Sequence, residues 1–371
     1  MHLSQTQINY CMECGVCTGS CPVSQSMESF SPRQIIKNTL LKKQDLTCQR
    51  ELWACLTCAR CSERCPVHID FPEFIRHYRD QAEDCQNQPL PSHHGVFQSI
   101  SELQTKVAAQ NRTTWAESAA RIKTEKGQIY LFTGCLPYFD VFFRYLGLEC
   151  LQTAKSGLAL LNRLGVEPVL SPQECCCGHD ALWSGRREIF QTLAAKNLET
   201  IRATGAQKVL FLCPEGYLTF KDYYPELLGE LPFEVQHLSE FLAQELPRAG
   251  LEFGPSQNGI LTYQDPCRLG RWCGEYEHPR QLIQMVPGAS LQEMDKNREN
   301  AQCCGTTAWM ECSSCSRQMQ GLRLQEARDT GADTLLTSCP KCQIHLQCAQ
   351  SDQEEQLKIQ DIFSYLQEHL S

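Results

Sequence analysis

The sequence lacks the features that would place it across a membrane or in the secretory route. No stretch approaches the roughly 18 uninterrupted apolar residues that a membrane helix needs. The first residues, Met1–Gln7, have neither the basic start nor the apolar run of an export signal. We therefore expect a cytoplasmic protein, and attachment to the inner face of a membrane through a partner subunit stays open.

A basic face and a nucleotide fingerprint are also absent. The net charge is −9 and the isoelectric point is near 5.6, which argues against nucleic acid as a partner. The excess of acidic residues is explained by solubility. No G-x-G-x-x-G motif follows a candidate strand, so nothing predicts a flavin or dinucleotide site in this chain.

Cysteine is the residue that the sequence has in excess, with 25 among 371 residues. The cysteines fall into repeated groups. A disulfide scaffold suits short secreted chains and explains adjacent cysteines and C-x2-C runs poorly, so we exclude it. Thiolate is the ligand that iron–sulfur clusters use, and the pattern therefore predicts an electron carrier.

Two groups near the N-terminus share the spacing C-x2-C-x2-C-x3-C-P. In two-cluster ferredoxins the first three thiolates of such a run bind one cluster and the fourth ligates the other. The spacing predicts two [4Fe–4S] cubane centres, one held by Cys11, Cys14, Cys17 and Cys65, and the other by Cys55, Cys58, Cys61 and Cys21. Structural zinc sites use paired knuckles instead, so the triple spacing favours iron.

Residues 1–84 are predicted to form an all-α ferredoxin domain that carries both quartets. Ser31 caps a helix that Pro32 opens, and Asp70 with Glu73 forms a capping pair for a later helix.

Residues 85–125 are predicted to be a linker with one or two short helices. We interpret the pair His93-His94 as part of a solvated loop, because no other ligand type lies at a workable spacing. Cys48 and Cys85 match no motif and are predicted to be small buried residues.

Residues 126–250 and 251–371 repeat one order of elements, each with a Cys-Cys-Gly (CCG) triplet. Matching cysteines are offset by 132, 127 and 126 residues. Helical stretches alternate with apolar runs, namely Ile129–Phe132, Val166–Leu170, Val209–Leu212, Ile260–Tyr263, Leu291–Met294 and Thr334–Thr337. This predicts two duplicated α/β lobes, Rossmann-like with parallel sheets, after the all-α domain. The cysteines then follow strand ends, where open α/β sheets place their sites.

The two lobes differ in their cysteine sets. The second lobe has five thiolates, Cys267, Cys303, Cys304, Cys339 and Cys342, which exceeds what zinc or one cubane takes and predicts a cluster of opened geometry. The first lobe has four, Cys135, Cys176, Cys177 and Cys213, since Gly216 stands at the position of Cys342. Four thiolates suit zinc or a conventional cluster, and an emptied relic is the third possibility. We favour a non-catalytic site there.

Two segments carry a resemblance to a known family. The runs YQDPCRLGR (263–271) and NRENAQCCG (297–305) resemble the catalytic subunit of heterodisulfide reductases. Nearly the whole chain is covered: residues 1–84 resemble the small ferredoxin subunit and residues 126–371 the cysteine-rich subunit, fused in one chain. Iron–sulfur subunits of glycolate and lactate dehydrogenases share this layout. The resemblance implies a noncubane [4Fe–4S] cluster on the five second-lobe cysteines. It also implies that this cluster attacks a disulfide, which two one-electron deliveries cleave.

The sequence departs from the family pattern at three places. Arg268 stands where His is usual, and Thr306–Trp309 replaces a glycine-rich run, so bulkier side chains narrow the space for a substrate. Gly216 removes one thiolate from the first lobe. The additional pair Cys312 and Cys315 is interpreted as buried or incidental rather than as a redox dithiol.

Two functions follow from these observations. The first is a catalytic subunit that reduces a disulfide or similar small acceptor at the noncubane cluster. The second is a pure electron-transfer subunit that links a flavoprotein dehydrogenase to a quinone or cytochrome partner. Either function requires a flavoprotein or other redox subunit as partner, because the chain itself has no flavin or nucleotide motif.

Overall fold

The computed structural model describes residues 7–43, 45–82, 90–107, 112–117, 121–256 and 259–370. Before residue 121 the described residues form helices and turns without a strand, so the all-α prediction is confirmed. The helices of the N-terminal region are α1 (Val16–Ser20), α2 (Pro22–Ser26), α3 (Pro32–Leu40), α4 (Glu51–Ala54), α5 (Arg60–Glu63) and α6 (Phe71–Arg79).

Both predicted helix caps of this region are present. The Ser31 hydroxyl accepts a hydrogen bond from the backbone N–H of Gln34, and Pro32 takes the first position of α3. Asp70 accepts from the backbone N–H of Glu73 at the start of α6. These caps fix the entry of the two helices that flank the cysteine loops.

The linker contains α7 (Val96–Lys106) and α8 (Thr114–Glu117), and α7 packs against the first lobe. His94 is exposed, as predicted for a solvated loop, but for His93 that prediction is wrong. The His93 ring stacks on His345 at 5.2 Å and lies edge-on to Phe97 and Phe143. Burial lowers the pKa of His93 to about 4. Cys48 is exposed and disulfide-bonded, which corrects its predicted burial, and Cys85 lies outside the described residues.

The first lobe is a parallel sheet in the order β1-β2-β3, formed by β1 (Ile129–Phe132), β2 (Lys208–Phe211) and β3 (Glu234–His237). Its helices are α9 (Leu136–Phe142), α10 (Cys150–Arg163), α11 (His179–Trp183), α12 (Arg187–Thr204), α13 (Pro214–Leu218), α14 (Tyr224–Leu228) and α15 (Leu238–Ala249). A single π-helical turn, Thr219–Tyr223, joins α13 to α14. The predicted run 166–170 forms only isolated bridges through Val169 and is not a strand.

The second lobe repeats this plan with one additional edge strand. Its parallel sheet has the order β5-β4-β6-β7, formed by β4 (Ile260–Gln264), β5 (Ser290–Leu291), β6 (Thr334–Thr337) and β7 (Lys358–Asp361). Its helices are α16 (Glu277–Gln284), α17 (Ser314–Asp329), α18 (Pro340–Gln350) and α19 (Ile362–His369).

The two lobes pack against each other reciprocally. The last helix of the second lobe, α19, packs on α10 of the first, and the last helix of the first lobe, α15, packs on α16 of the second. In each case the final helix of one repeat covers a helix that lies between the first strand of the other repeat and the next strand in sequence. This arrangement turns the strand ends of both lobes, and the cysteines beyond them, toward each other.

Candidate functional site

The outer cysteine set lines one cavity near the surface of the helical region. Cys11, Cys14 and Cys17 of the first motif meet Cys65 of the second there. Cys14 is exposed and the other three are half-buried. Burial raises the pKa of Cys17, with smaller contributions from Cys11 and Cys14. The structure therefore brings together the four residues that the sequence assigned to one cubane centre; their ligation of iron stays a prediction.

The inner set, Cys21, Cys55, Cys58 and Cys61, is buried, each residue being at most 9% exposed. Burial raises the pKa of Cys21 to about 12, and the nearby Cys58 and Cys55 contribute to the rise. Burial likewise raises the pKa of Cys61, followed by the effects of Cys55, Cys21 and Cys58. A metal centre held by this set would require its thiols to lose their protons on binding.

The five second-lobe cysteines form a continuous line of thiol contacts. Cys267 lies three residues after β4, the pair Cys303-Cys304 precedes α17, and Cys339 and Cys342 begin α18. Hydrogen bonds join Cys267 to Cys303, Cys303 to Cys304, Cys304 to Cys342, and Cys342 to Cys339. The bonds from Cys303 and Cys342 lower the pKa of Cys304 to about 6.

The glycine of each triplet is required by the backbone. Gly305 has φ +85°, and a Cβ there would lie 2.7 Å from the backbone nitrogen of Gln320. Gly178 has φ +83°, and a Cβ there would lie 2.8 Å from the Phe190 ring. Only glycine adopts this left-handed conformation with a neighbour so close. The turn places Gly178 against α12 and Gly305 against α17.

Cys213 is placed between the two lobes rather than wholly within the first. Its thiol hydrogen-bonds Cys339 of the second lobe and helps to lower the pKa of that residue. It also lies near Cys177. Of the remaining first-lobe cysteines, Cys176 hydrogen-bonds both Cys135 and Cys177, and these bonds lower the pKa of Cys176. The structure thus divides the predicted first-lobe set.

Position 216 has no thiol, and a side chain added there would be crowded by its neighbours. A Cβ on Gly216 would lie 3.2 Å from the Phe211 ring and 3.9 Å from Cβ of Cys177. The position therefore faces the first-lobe thiols, and the Phe211 ring occupies part of the space that a fifth cysteine would need.

A buried ion cluster, which sequence reasoning missed, lies between the lobes. The Lys341 ammonium contacts both oxygens of Asp180, and it lies 2.8 Å from a carboxylate oxygen of Glu215. His179 Nδ1 lies 3.1 Å from Asp180 and 3.4 Å from Glu215. Burial alone would raise the pKa of Asp180, but the Lys341 ammonium outweighs it and the pKa is lowered. His179, Asp180 and Glu215 have the spacing of metal ligands, yet the ammonium already supplies the cation.

The sequence did contain a signal for this cluster. The offset of 126 residues that relates Cys213 to Cys339 also relates Glu215 to Lys341. Opposite charges at equivalent repeat positions predict a pair if the two lobes face each other.

Arg268 and Trp309, which depart from the family pattern, contact the inner cysteine loop together with Arg271. The Trp309 indole N–H donates to the carbonyl oxygen of Cys55 at 3.0 Å. Arg268 donates to the Thr57 carbonyl at 2.8 Å, and Arg271 to the Cys58 carbonyl at 2.6 Å. Burial alone would lower the pKa of Arg271, but the neighbouring thiols of Cys58, Cys267 and Cys303 outweigh it and the pKa is raised. The inner set and the second-lobe set are therefore neighbours.

The pair Cys312 and Cys315 is split by burial. Cys315 is buried at the start of α17, and Cys312 is exposed, where its sulfur accepts a hydrogen bond from the backbone N–H of His93 at 3.4 Å.

Within the described residues, no helix is both long and apolar enough to cross a bilayer.

Two protein families match the chain. The family described as "Cysteine-rich domain" matches residues 129–221 and 261–347, one copy per lobe. The family described as "4Fe-4S dicluster domain" matches residues 7–69, which contain both N-terminal motifs. The matched ranges coincide with the two kinds of cysteine set.

Similar proteins include subunits of redox complexes. One subunit of the dihydromethanophenazine:CoB–CoM heterodisulfide reductase of Methanosarcina acetivorans is 30% identical over 90% of this chain and 80% of its own length. One subunit of the fumarate reductase (CoM/CoB) of Methanothermobacter marburgensis is 28% identical over 91% of this chain and 67% of its own length. The EtfAB:quinone oxidoreductase of Syntrophomonas wolfei is 28% identical over 80% of this chain and 43% of its own.

A solved structure shares the fold. The crystal structure of a hypothetical protein from Helicobacter pylori superimposes with a TM-score of 0.57 over 91% of this chain and 67% of that one. The identity is 12%, so the likeness concerns the fold alone.

Proposed function

The chain belongs to the heterodisulfide reductase family of iron–sulfur subunits, and on that basis we propose that it relays electrons inward through three thiol-bound centres. It is an iron–sulfur oxidoreductase subunit. The proposed order begins at the outer cubane, held by Cys11, Cys14, Cys17 and Cys65. It continues to the inner cubane, held by Cys55, Cys58, Cys61 and Cys21, and ends at a noncubane [4Fe–4S] cluster held by Cys267, Cys303, Cys304, Cys339 and Cys342.

One observation carries this proposal: the inner thiol set adjoins both of the others, and its Cys61 lines the same cavity as the outer thiols. Cys14 is exposed in the outer set, the inner set is buried, and Arg271 lies among thiols of both the inner and the second-lobe sets. Stepwise electron transfer needs such neighbouring centres. The donors are thiols throughout, which is the chemistry that iron–sulfur clusters require.

The proposed reaction at the second-lobe centre is the reduction of a disulfide. Bound there, the cluster supplies two one-electron steps for R–S–S–R′ + 2 e⁻ + 2 H⁺ → R–SH + R′–SH, and the electrons come from a flavoprotein or other redox subunit. The chain's own residues position the cysteines: the left-handed turn at Gly305 sets Cys303 and Cys304, and α18 sets Cys339 and Cys342.

A second candidate is a pure electron-transfer subunit between a flavoprotein dehydrogenase and a quinone or cytochrome partner. The similarity to an EtfAB:quinone oxidoreductase favours it. The space between the lobes also favours it, because Trp309 and the Lys341–Asp180–Glu215 cluster fill volume beside the thiols. Association with a membrane would then occur through the partner.

We propose a non-catalytic role for the first lobe, with zinc or a conventional cluster on Cys135, Cys176, Cys177 and Cys213. The hydrogen-bonded group of Cys135, Cys176 and Cys177 supports a metal there.

The decisive experiment is anaerobic purification with iron and zinc analysis and low-temperature EPR, with and without candidate disulfides and thiols. Disulfide reduction predicts a thiol-dependent paramagnetic signal that disappears in Cys304→Ser and persists in Cys348→Ser, a half-buried cysteine outside all the sets. Spectra that no thiol changes would favour the pure electron-transfer function.

A further inference from the structure

Three arginines from different parts of the chain converge on the inner cysteine loop, residues 55–58. Arg79 at the end of α6 is fully buried and donates to the carbonyl oxygens of Leu52 at 2.8 Å, Cys55 at 2.8 Å and Trp183 at 2.9 Å. Its guanidinium lies 4.8 Å from the Trp309 ring. Arg79 thus fixes the start of the loop from the helical region itself.

The other two arginines come from the second lobe, directly after Cys267. Arg268 is 4% exposed and donates to the carbonyl and the hydroxyl of Thr57, at 2.8 and 2.6 Å. Its guanidinium lies 4.4 Å from the Trp183 ring. Arg271 is half-buried and donates to the carbonyls of Cys58 and Ala301.

Among the described residues, none of these three arginines forms an ion pair with a carboxylate. Three buried cations elsewhere in the protein do: Arg112 pairs with Glu174, Arg280 with Asp265 and Lys341 with Asp180. Arg60, which is buried beside Cys61 of the same inner set, has no carboxylate partner among the described residues. Carbonyl oxygens and tryptophan rings solvate a guanidinium only in part, and an unpaired buried charge is strongly destabilising. The missing anion is therefore expected at the loop that all three contact.

We propose that Arg79, Arg268 and Arg271 are the counter-ions of the inner iron–sulfur centre and raise its reduction potential, so that electrons pass inward from the outer centre. This rests on the proposed function. A cluster with four thiolates is an anion that gains one further negative charge on reduction, and nearby cations stabilise the reduced form more than the oxidised one.

The need for such cations follows from the difference in burial between the two centres. The inner thiols are at most 9% exposed, whereas the outer set includes the exposed Cys14. Burial disfavours the more highly charged reduced state, so burial alone would make the inner centre the harder one to reduce. The three arginines oppose that effect. Arg271 also lies beside Cys267 and Cys303, so it lowers the repulsion between charges on the two neighbouring centres.

The test is an anaerobic redox titration followed by low-temperature EPR on the whole chain. Arg268→Gln and Arg271→Gln remove the charge, Arg268→Lys keeps it, and Arg248→Gln makes the same change of net charge at an exposed position. Loss of one signal in Cys14→Ser and of the other in Cys58→Ser assigns the outer and the inner centre. We expect the inner midpoint potential to become more negative in both Gln variants, with the outer midpoint unchanged. Arg268→Lys and Arg248→Gln should keep both midpoints.

Iron content separates the remaining outcomes. Loss of inner-centre iron in Arg268→Gln but not in Arg268→Lys also supports the counter-ion role. The counter-ion role is overturned if the Gln variants keep their inner-centre iron and the inner midpoint potential does not shift. It is also overturned if both Arg268 variants lose the inner-centre iron and Arg271→Gln leaves the inner midpoint potential unchanged. Wild-type protein with far fewer than about eight irons per chain overturns the proposed function itself.

Discussion

Lys341 and Glu215 occupy the same position in the two repeats of this chain, and their side chains form an ion pair of 2.8 Å across the contact between the lobes. Lys341 stands between two second-lobe cysteines, and Glu215 stands two residues after Cys213. The ion pair therefore joins the two segments that carry the facing thiol sets. We expect its loss to disturb the position of both segments.

Removal of the Lys341 charge is expected to destabilise the protein. Lys341→Met leaves the buried Asp180 and the half-buried Glu215 without their cation, and breaking a buried pair in this way costs about 3–5 kcal/mol. Anaerobic denaturant unfolding measures the change. The triple variant Lys341→Met, Asp180→Asn, Glu215→Gln removes all three charges and should recover most of the loss. Equal losses in the single and triple variants would show that the charges do not matter.

The glycine of the second triplet is expected to tolerate no side chain. Gly305→Ala forces a left-handed alanine and places its Cβ against the Gln320 backbone, a strain on the order of 1–3 kcal/mol for the conformation alone. Gly321→Ala is the matched control, since Gly321 lies within α17 with nothing near its added Cβ, and alanine there should stabilise by roughly 0.5–1 kcal/mol. Thermal unfolding of the two variants compares them; equal melting temperatures would contradict the prediction.

Cys213 is expected to influence the second-lobe centre although it belongs to the first lobe. Its thiol contacts Cys339, so Cys213→Ser should change the EPR spectrum of the noncubane centre. Cys135→Ser should alter only the metal content of the first lobe, because the Cys135 thiol forms a hydrogen bond with Cys176 of the same lobe. Iron and zinc analysis beside EPR distinguishes the two. A Cys213→Ser spectrum identical to that of Cys135→Ser would assign Cys213 wholly to the first site.

Asp361 is expected to make stability depend on pH. Burial raises its pKa to about 8, even though it caps α19 by accepting from the Phe363 N–H. The folded state therefore holds the proton more tightly than the unfolded state. The stabilisation is complete below about pH 4 and is lost as the pH rises toward 8, by at most about 1.4 kcal/mol per unit.

The matched comparison is between Asp361→Asn and Asp45→Asn. Asparagine keeps either cap, and Asp45 is an exposed cap that accepts from the Thr47 N–H. The unfolding free energy of Asp361→Asn relative to wild type should rise between pH 5 and 8, whereas that of Asp45→Asn should stay flat. A flat difference for Asp361→Asn as well would mean that Asp361 is ionised throughout.

The periodicity of the sequence predicted the strands that are apolar and missed those that are not. Thr334–Thr337 was predicted with its observed bounds, as was Ile129–Phe132. The last strand of each sheet, Glu234–His237 and Lys358–Asp361, has the residues EVQH and KIQD, whose polar side chains conceal a parallel strand. Val166–Leu170 has residues typical of a strand, but it forms only isolated β-bridges, through Val169.

The cysteine spacing predicts which thiols share a centre, but it gives no information on the residues that surround them. The crossing of Cys21 and Cys65 between the two motifs could be predicted, because it follows from a local pattern. The contact of Cys213 with Cys339, the stacking of His93 on His345 and the arginines over the inner loop all depend on how separate units pack. No local periodicity encodes such contacts.

Because α19 packs on α10 and α15 packs on α16, each lobe covers a helix face of the other lobe. Two identical copies of a single lobe would arrange the same faces as a symmetric dimer, but symmetry would then put the same side chain at both equivalent positions. A symmetric dimer of one lobe cannot place a lysine opposite a glutamate at these equivalent positions, whereas a polypeptide that carries both copies can. Covalent fusion thus permits an asymmetric centre, in which one half is free to specialise while the other supports it.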